Sequence, residues 1–149
     1  MATTSTDQPA GSARLRTDPA HQAFVLLRST FVVAPVVFGA DKFTNLLTDW
    51  KTYLAPGISD LLPVTPQQAM YAVGLVEIAA GLLVAVRPRV GAAVVAAWLA
   101  GIVANLLLLQ RFYDVALRDV GLLVAAVALQ RLSTRYDSAH ASWRRKAAP

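Results

Sequence analysis

Residues 90–109 read VGAAVVAAWLAGIVANLLLL, twenty positions without a single charge. Coiled as an α-helix, a run of about 20 apolar residues is long enough to cross the hydrocarbon core of a bilayer. Moving outward, Arg87-Pro88-Arg89 precedes this stretch and Gln110-Arg111-Phe112 follows it. Both breaks are short, so the flanking apolar stretches, residues 67–86 and 115–129, must run antiparallel to it. A further apolar stretch covers residues 23–40. The chain has 14 basic and 9 acidic residues, yet these four stretches hold only Arg28, Glu77, Arg118 and Asp119. Water-soluble proteins spread their charges, whereas bilayer proteins expel them from the spans. The pattern predicts an all-α protein: a four-transmembrane-helix antiparallel bundle.

Composition agrees. Hydrophobic residues make up 56% of the 149 and charged residues 15%, against roughly 45–50% and about 25% in soluble domains; mean hydropathy is +0.48. This argues against a soluble enzyme, a nucleic-acid binder and a disordered chain. The net charge of +5 lies in short clusters beside the apolar stretches, as topology signals do, so nucleic acid is not an expected partner and the lipid bilayer is. There is no cysteine, which removes disulfides, thiol redox chemistry, iron–sulfur ligation and thiolate metal sites. His21 and His140 lie outside the spans, so no haem or metal is expected. Eleven arginines against three lysines, with Ala, Val and Leu dominant, point to a GC-rich bacterial genome.

Three regions are expected: a disordered tail at residues 1–22, a four-helix membrane domain at 23–132 and a basic tail at 133–149. The first apolar stretch is broken by Arg28 and Ser29 and ends on bulky Phe38, unlike a cleaved leader, so it is expected to remain as a helix. That helix should run from about 21 to 43, with a kink at Pro35. In residues 44–65, Leu46, Leu47, Trp50, Tyr53 and Leu54 share one helical face, which predicts a short interfacial helix between the first and second spans. Thr65 and Pro66 form an N-cap and first position for the second helix. The fourth helix is expected over about 113–132, and Trp143-Arg144-Arg145-Lys146 as a surface anchor. With the N-terminus inside, the inner side collects Arg14, Arg16, Arg87, Arg89, Arg131, Arg135, Arg144, Arg145 and Lys146. The outer side has Lys42, Lys51, Arg111 and Arg118. The positive-inside rule then places both termini in the cytoplasm, and the inner membrane of a bacterium is the expected location.

On this topology the polar residues gather in the outer half: Asp41 and Lys42 at the end of the first helix, Glu77 in the second, Asn105 in the third, and Asp114, Arg118 and Asp119 in the fourth, with Arg111 just before it. A lone charge at mid-bilayer costs at least about 2.5–3.5 kcal/mol, so these groups should face the interior or a partner. Asp114 and Arg118 are spaced for pairing along one helix. Lys42, Arg111 and Arg118 are all candidate partners for Glu77, with Asn105 as a neighbour. A protonatable carboxyl in a polar cavity suits a quinol headgroup, a proton or a small solute; polar glue between helices is the plain alternative. Gly74, Glu77 and Gly81 share a face of the second helix. Ala93, Ala97 and Gly101 recur every fourth residue on the third, expected to serve close packing within the bundle rather than a dimer seam.

Leu27-Arg28 opening the first helix, Phe38-Gly39-Ala40-Asp41-Lys42-Phe43 closing it, Gly74-Leu75-Val76-Glu77 with Gly81, and Asp114-Val115-Ala116-Leu117-Arg118-Asp119-Val120-Gly121 together resemble the DoxX-like family of small four-helix membrane proteins. The resemblance covers about residues 23–132. It implies a four-helix fold and a quinone-linked role beside a membrane oxidoreductase, with Lys42, Glu77 and Asp119 as the carried-over positions. The chain has no redox centre of its own, so a bound quinone or a partner subunit would have to supply one, and a stand-alone enzyme is not expected. Three readings follow: an accessory or ligand-binding subunit; a structural or assembly protein; and, ranked last, a small proton-coupled transporter, which four spans would serve as a homo-oligomer.

Overall fold

The computed structural model describes residues 18–59 and 63–146, with side chains described at 18–57 and 63–136. Most of the expected N-terminal tail, and the side chains of the Trp143-Arg144-Arg145-Lys146 anchor, lie outside the described residues. Four long helices form the molecule: α1 (Pro19–Thr44), α2 (Pro66–Val86), α3 (Pro88–Leu109) and α4 (Tyr113–Lys146). Among the described residues there is no strand. The helices α1, α2 and α3 are long and apolar enough to cross a membrane. In α4, Arg118 and Asp119 near one end and Arg131 toward the other interrupt the apolar stretch.

Local chemistry sets the ends. Asp18 caps α1, its carboxylate accepting from the Ala20 N–H at 3.0 Å, and Pro19 occupies the first turn; the helix therefore starts inside the region expected to be tail. At the other end Asn45 turns left-handed, φ 52°, and its N–H returns to the Asp41 carbonyl at 2.6 Å. Thr65 and Gln68 form a reciprocal capping box on α2, with Pro66 in the first turn, the arrangement that satisfies two otherwise orphaned backbone donors. Between α2 and α3 only Arg87 is non-helical. Gly91 makes this joint possible, because a Cβ there would overlap the backbone of Val84. The α3–α4 turn holds two non-glycine residues at positive φ, Gln110 (52°) and Phe112 (59°), a conformation that costs L-residues roughly 1–2 kcal/mol each.

Contacts step down α2 as they step up α1: Arg28 meets Ala85, Val32 and Val36 meet Gly81, Gly39 meets Gly74, and Phe43 meets Tyr71. The two helices are therefore antiparallel. The Arg28 guanidinium donates to the Ala85 carbonyl, near the end of α2, where carbonyls lose their intrahelical partners and a cation also suits the helix dipole. The core runs through Phe24, Phe31, Val84, Val95, Leu99, Ala126, Leu129 and Tyr136. Large apolar side chains such as Leu26, Leu75, Leu82, Val86, Leu108, Leu117 and Val124 point outward. In water such a surface would aggregate; in lipid it needs no cover, and helix association rests on close packing instead.

Three expectations need correction. The segment after α1 is not one continuous amphipathic helix. It forms a 3-10 turn at Trp50–Tyr53 and a single α-turn at Pro56–Ser59, because the Asp41 carboxylate captures the backbone N–H groups of Leu46 and Leu47 and holds residues 45–49 out of helix. The helix α4 does not stop at Leu132. No Gly or Pro follows before Pro149, and buried Ser133 and Tyr136 carry the packing onward. Ala93, Ala97 and Gly101 do not pack within the bundle: all three are exposed, with nothing near Gly101. The buried face of α3 is instead Gly91, Ala92, Val95, Leu99 and Leu106.

Candidate functional site

The polar site lies toward the end of the bundle where α1 finishes and α2 begins, called here the loop end; the opposite end, around Arg87, is the turn end. Lys42 sits in the last turn of α1 and Glu77 in the middle of α2, and their side chains meet at 2.6 Å. Lys42 is 4% exposed and Glu77 8%. Glycine explains why the pair can form so deep between two helices. A Cβ on Gly39 would lie 2.5 Å from the Gly74 carbonyl oxygen, and the converse holds for Gly74. The two backbones touch at this crossing, and the Lys42 stem lies against Gly74. Of the three cations the sequence offered as partners for Glu77, the structure selects Lys42, and Arg111 and Arg118 are left out.

Above the pair lies Trp50. Its ring centroid is 3.8 Å from the Lys42 ammonium, a cation–π contact strengthened by burial. Asp41 sets that position. Its carboxylate accepts from the Leu46 N–H at 3.0 Å, the Leu47 N–H at 3.1 Å, the Thr44 hydroxyl at 3.0 Å and the Trp50 indole N–H at 2.7 Å. Asn105 on α3 grips the far end of the same loop: its Oδ1 accepts from the Ala55 N–H at 3.0 Å and its Nδ2 donates to the Tyr53 carbonyl at 2.6 Å. Tyr53 also packs on Phe112, ring centroids 4.6 Å apart. Asp41 and Asn105 thus pin the loop over the ion pair rather than lining an interior cavity.

Asp119, buried on α4, is the third carried-over position. It accepts from Arg118 Nε at 3.4 Å, but the Arg118 side chain is 66% exposed. Among the described residues no hydrogen bond or ion pair joins Asp119 to Lys42 or Glu77. The expected pairing of Asp114 with Arg118 is not formed, since the ion pair of Arg118 is with its neighbour Asp119. Asp114 is exposed, and so is Arg111, whose guanidinium lies 5.3 Å from the Phe112 ring. Of the eight candidate residues, Lys42 and Glu77 therefore form the buried pair, Asp41 and Asn105 hold the loop above it, Asp119 is buried on α4 with Arg118 reaching it from the surface, and Asp114 and Arg111 stand apart. Among the described residues no three His, Asp or Glu side chains converge as a metal ion would require.

Sequence reasoning missed Trp98. It lies near the centre of α3, whereas tryptophans of membrane proteins gather at the interfaces, and that misplacement was the available signal. Its buried indole N–H faces the Glu77 carboxylate as a long, weak donor, outside the geometry of a tight hydrogen bond. The Lys42–Glu77 pair is thus met by Trp50 from the loop and by Trp98 from α3. No family model matches the chain, and no curated protein or solved structure is significantly similar to it.

Proposed function

We propose that this chain is an integral protein of a bacterial inner membrane, of DoxX-like type, that binds a small polar ligand such as a quinone-type headgroup at the Lys42–Glu77 pair on behalf of a membrane oxidoreductase partner. In this reading all four long helices cross the bilayer, both termini are cytoplasmic, and the loop of residues 45–55 lies at the outer surface. The observation that carries it is a buried Lys42–Glu77 ion pair roofed by Trp50, with the Trp98 indole against it from α3. An ion pair in a low-dielectric interior recovers its desolvation cost only with good geometry and satisfied neighbours. A bundle that needed only glue would be held as well by apolar side chains. The quinone class and the oxidoreductase partner rest on the motif resemblance together with this donor–acceptor set.

The test is purification in mild detergent, followed by mass-spectrometric identification of what stays bound. The wild type should retain a quinone-type lipid or a redox partner, and Glu77→Gln should lose it while still inserting. Retention unchanged in the variant would overturn the proposal. A purely structural role has one observation in its favour, the full engagement of Asp41 and Asn105 in holding the loop. It expects Glu77→Gln to lower folded yield with no bound molecule in either protein.

A further inference from the structure

The loop after α1 carries apolar side chains on its outside. Leu46 is 84% exposed and Leu47 61%, and Leu46 is the most exposed large apolar side chain among the described residues. The cause lies in the backbone. The Asp41 carboxylate takes the Leu46 N–H at 3.0 Å, the Leu47 N–H at 3.1 Å and the Trp50 indole N–H at 2.7 Å. Folding either leucine back under the loop would give up hydrogen bonds to a charged acceptor, which are stronger than those between neutral groups. Asn105 fixes the far end of the loop by two further bonds. The exposure of the two leucines is therefore built in. A single exposed leucine is ordinary, whereas adjacent ones that extend a larger apolar surface mark a contact face.

The setting of the two leucines says what covers them. Phe43, 47% exposed, stacks on Tyr71, 39% exposed, with centroids 5.2 Å apart and planes 4° from parallel. The outward apolar face of α1 and α2 thus reaches the last turn of α1, and Leu46 and Leu47 follow it directly in the chain. The loop's charges come after them: Asp49 and Lys51 pair at 3.6 Å, both exposed, and Thr52 is exposed beside them. Apolar residues that continue a lipid-facing surface and end in a polar edge suit the boundary between hydrocarbon and headgroups. Taking the bilayer placement proposed above, and nothing of the ligand, we propose that Leu46 and Leu47 are embedded in the outer leaflet as a two-residue anchor, with Asp49, Lys51 and Thr52 among the headgroups. The anchor and Trp50 share one pinned loop, so lipid contact holds the Trp50 ring down over Lys42.

The chain has no cysteine, so single cysteines can be introduced and spin-labelled one at a time in the full-length protein, reconstituted in vesicles of phosphatidylcholine and phosphatidylglycerol. Each label's accessibility to oxygen, which concentrates in hydrocarbon, is compared with its accessibility to a neutral, water-soluble nickel chelate. Labels at Leu46→Cys and Leu47→Cys should favour oxygen and report a depth of about 5–10 Å below the headgroups. Labels at Lys51→Cys and Thr52→Cys should favour nickel. Leu75→Cys and Val124→Cys, outward-facing on α2 and α4, give the hydrocarbon reference. A nickel-favouring label at Leu46 or Leu47, with the reference positions still favouring oxygen, overturns the anchor and leaves the bilayer placement standing. Shielding of both leucine positions from both reagents means a protein contact and overturns it as well. Nickel access at Leu75 and Val124 also overturns the bilayer placement itself. Should one leucine variant fail to reconstitute, the other decides. A second measurement needs no label: Leu46→Ser with Leu47→Ser should keep its helix content in vesicles, yet be cleaved by protease within residues 46–55 several-fold faster than the wild type. An unchanged rate overturns the claim that lipid holds the roof closed.

Discussion

The two ends of the bundle are closed by different chemistry. At the turn end, closure is aromatic: Phe24 lies tilted on Tyr136 with centroids 4.9 Å apart, and His21 meets the Tyr136 ring edge-on at 5.3 Å. The polar contacts there are peripheral, a 3.4 Å bond from the Tyr136 hydroxyl to Asp18 and the Arg28 contact with Ala85. At the loop end, closure is ionic and depends on complementary partners: Lys42 with Glu77, Asp41 with four donors, Asn105 with the loop backbone. An apolar closure tolerates approximate shape; a polar one inside a low-dielectric medium is worth much or costs much depending on whether every group is met. The end with the stricter requirement is also the end that holds the buried ion pair, and that contrast is what makes it the candidate site.

The largest effect should come from breaking the ion pair on one side only. Glu77→Gln leaves the Lys42 ammonium buried without its counter-charge and should destabilise the protein by about 3–5 kcal/mol, read as a drop in the thermal midpoint of helical circular dichroism in detergent. The double replacement Lys42→Met with Glu77→Leu should recover most of that loss, since a matched apolar pair avoids desolvation altogether. If the double variant is as unstable as the single one, the loop end is held by something other than charge pairing. Phe24→Ala should cost somewhat less, about 3 kcal/mol, and should disturb the turn end without changing ligand retention at the other. Coupled loss of both would mean that the two ends do not close independently. The smallest global change is expected for Asp41→Asn. That side chain cannot serve all four donors equally, so protease cleavage within residues 46–55 should accelerate several-fold while helix content stays constant. Unchanged cleavage would show that Asn105 alone pins the loop.

How much of this was written in the residue order differs between the same two regions. The apolar stretches and the Thr65-Pro66-Gln68 cap follow from local rules, and the structure carries them. The Asp18-Pro19 start of α1 obeys those rules too but was hidden by the polarity of the preceding tail. The Leu132 boundary was set where hydropathy falls, although no helix breaker stands there, so α4 continues. At the loop end the decisive contacts join residues far apart in the chain: Asp41 reaches forward past the helix end, and Lys42 finds Glu77 across an interhelical crossing. Three cations were equivalent partners in the sequence. The choice among them is made by Gly39 and Gly74, which bring the α1 and α2 backbones into contact where Lys42 is carried. The spacing of Leu46, Leu47, Trp50, Tyr53 and Leu54 imitates a helix because no periodicity reveals that a carboxylate will take the backbone donors first.

The joint at Arg87 bears on how the molecule is made. With one residue between Val86 and Pro88, and Gly91 seated on the Val84 backbone, α2 and α3 have no slack in which to part. Helices α2 and α3 therefore form as one tight hairpin, a unit whose two halves cannot settle at independent depths or tilts.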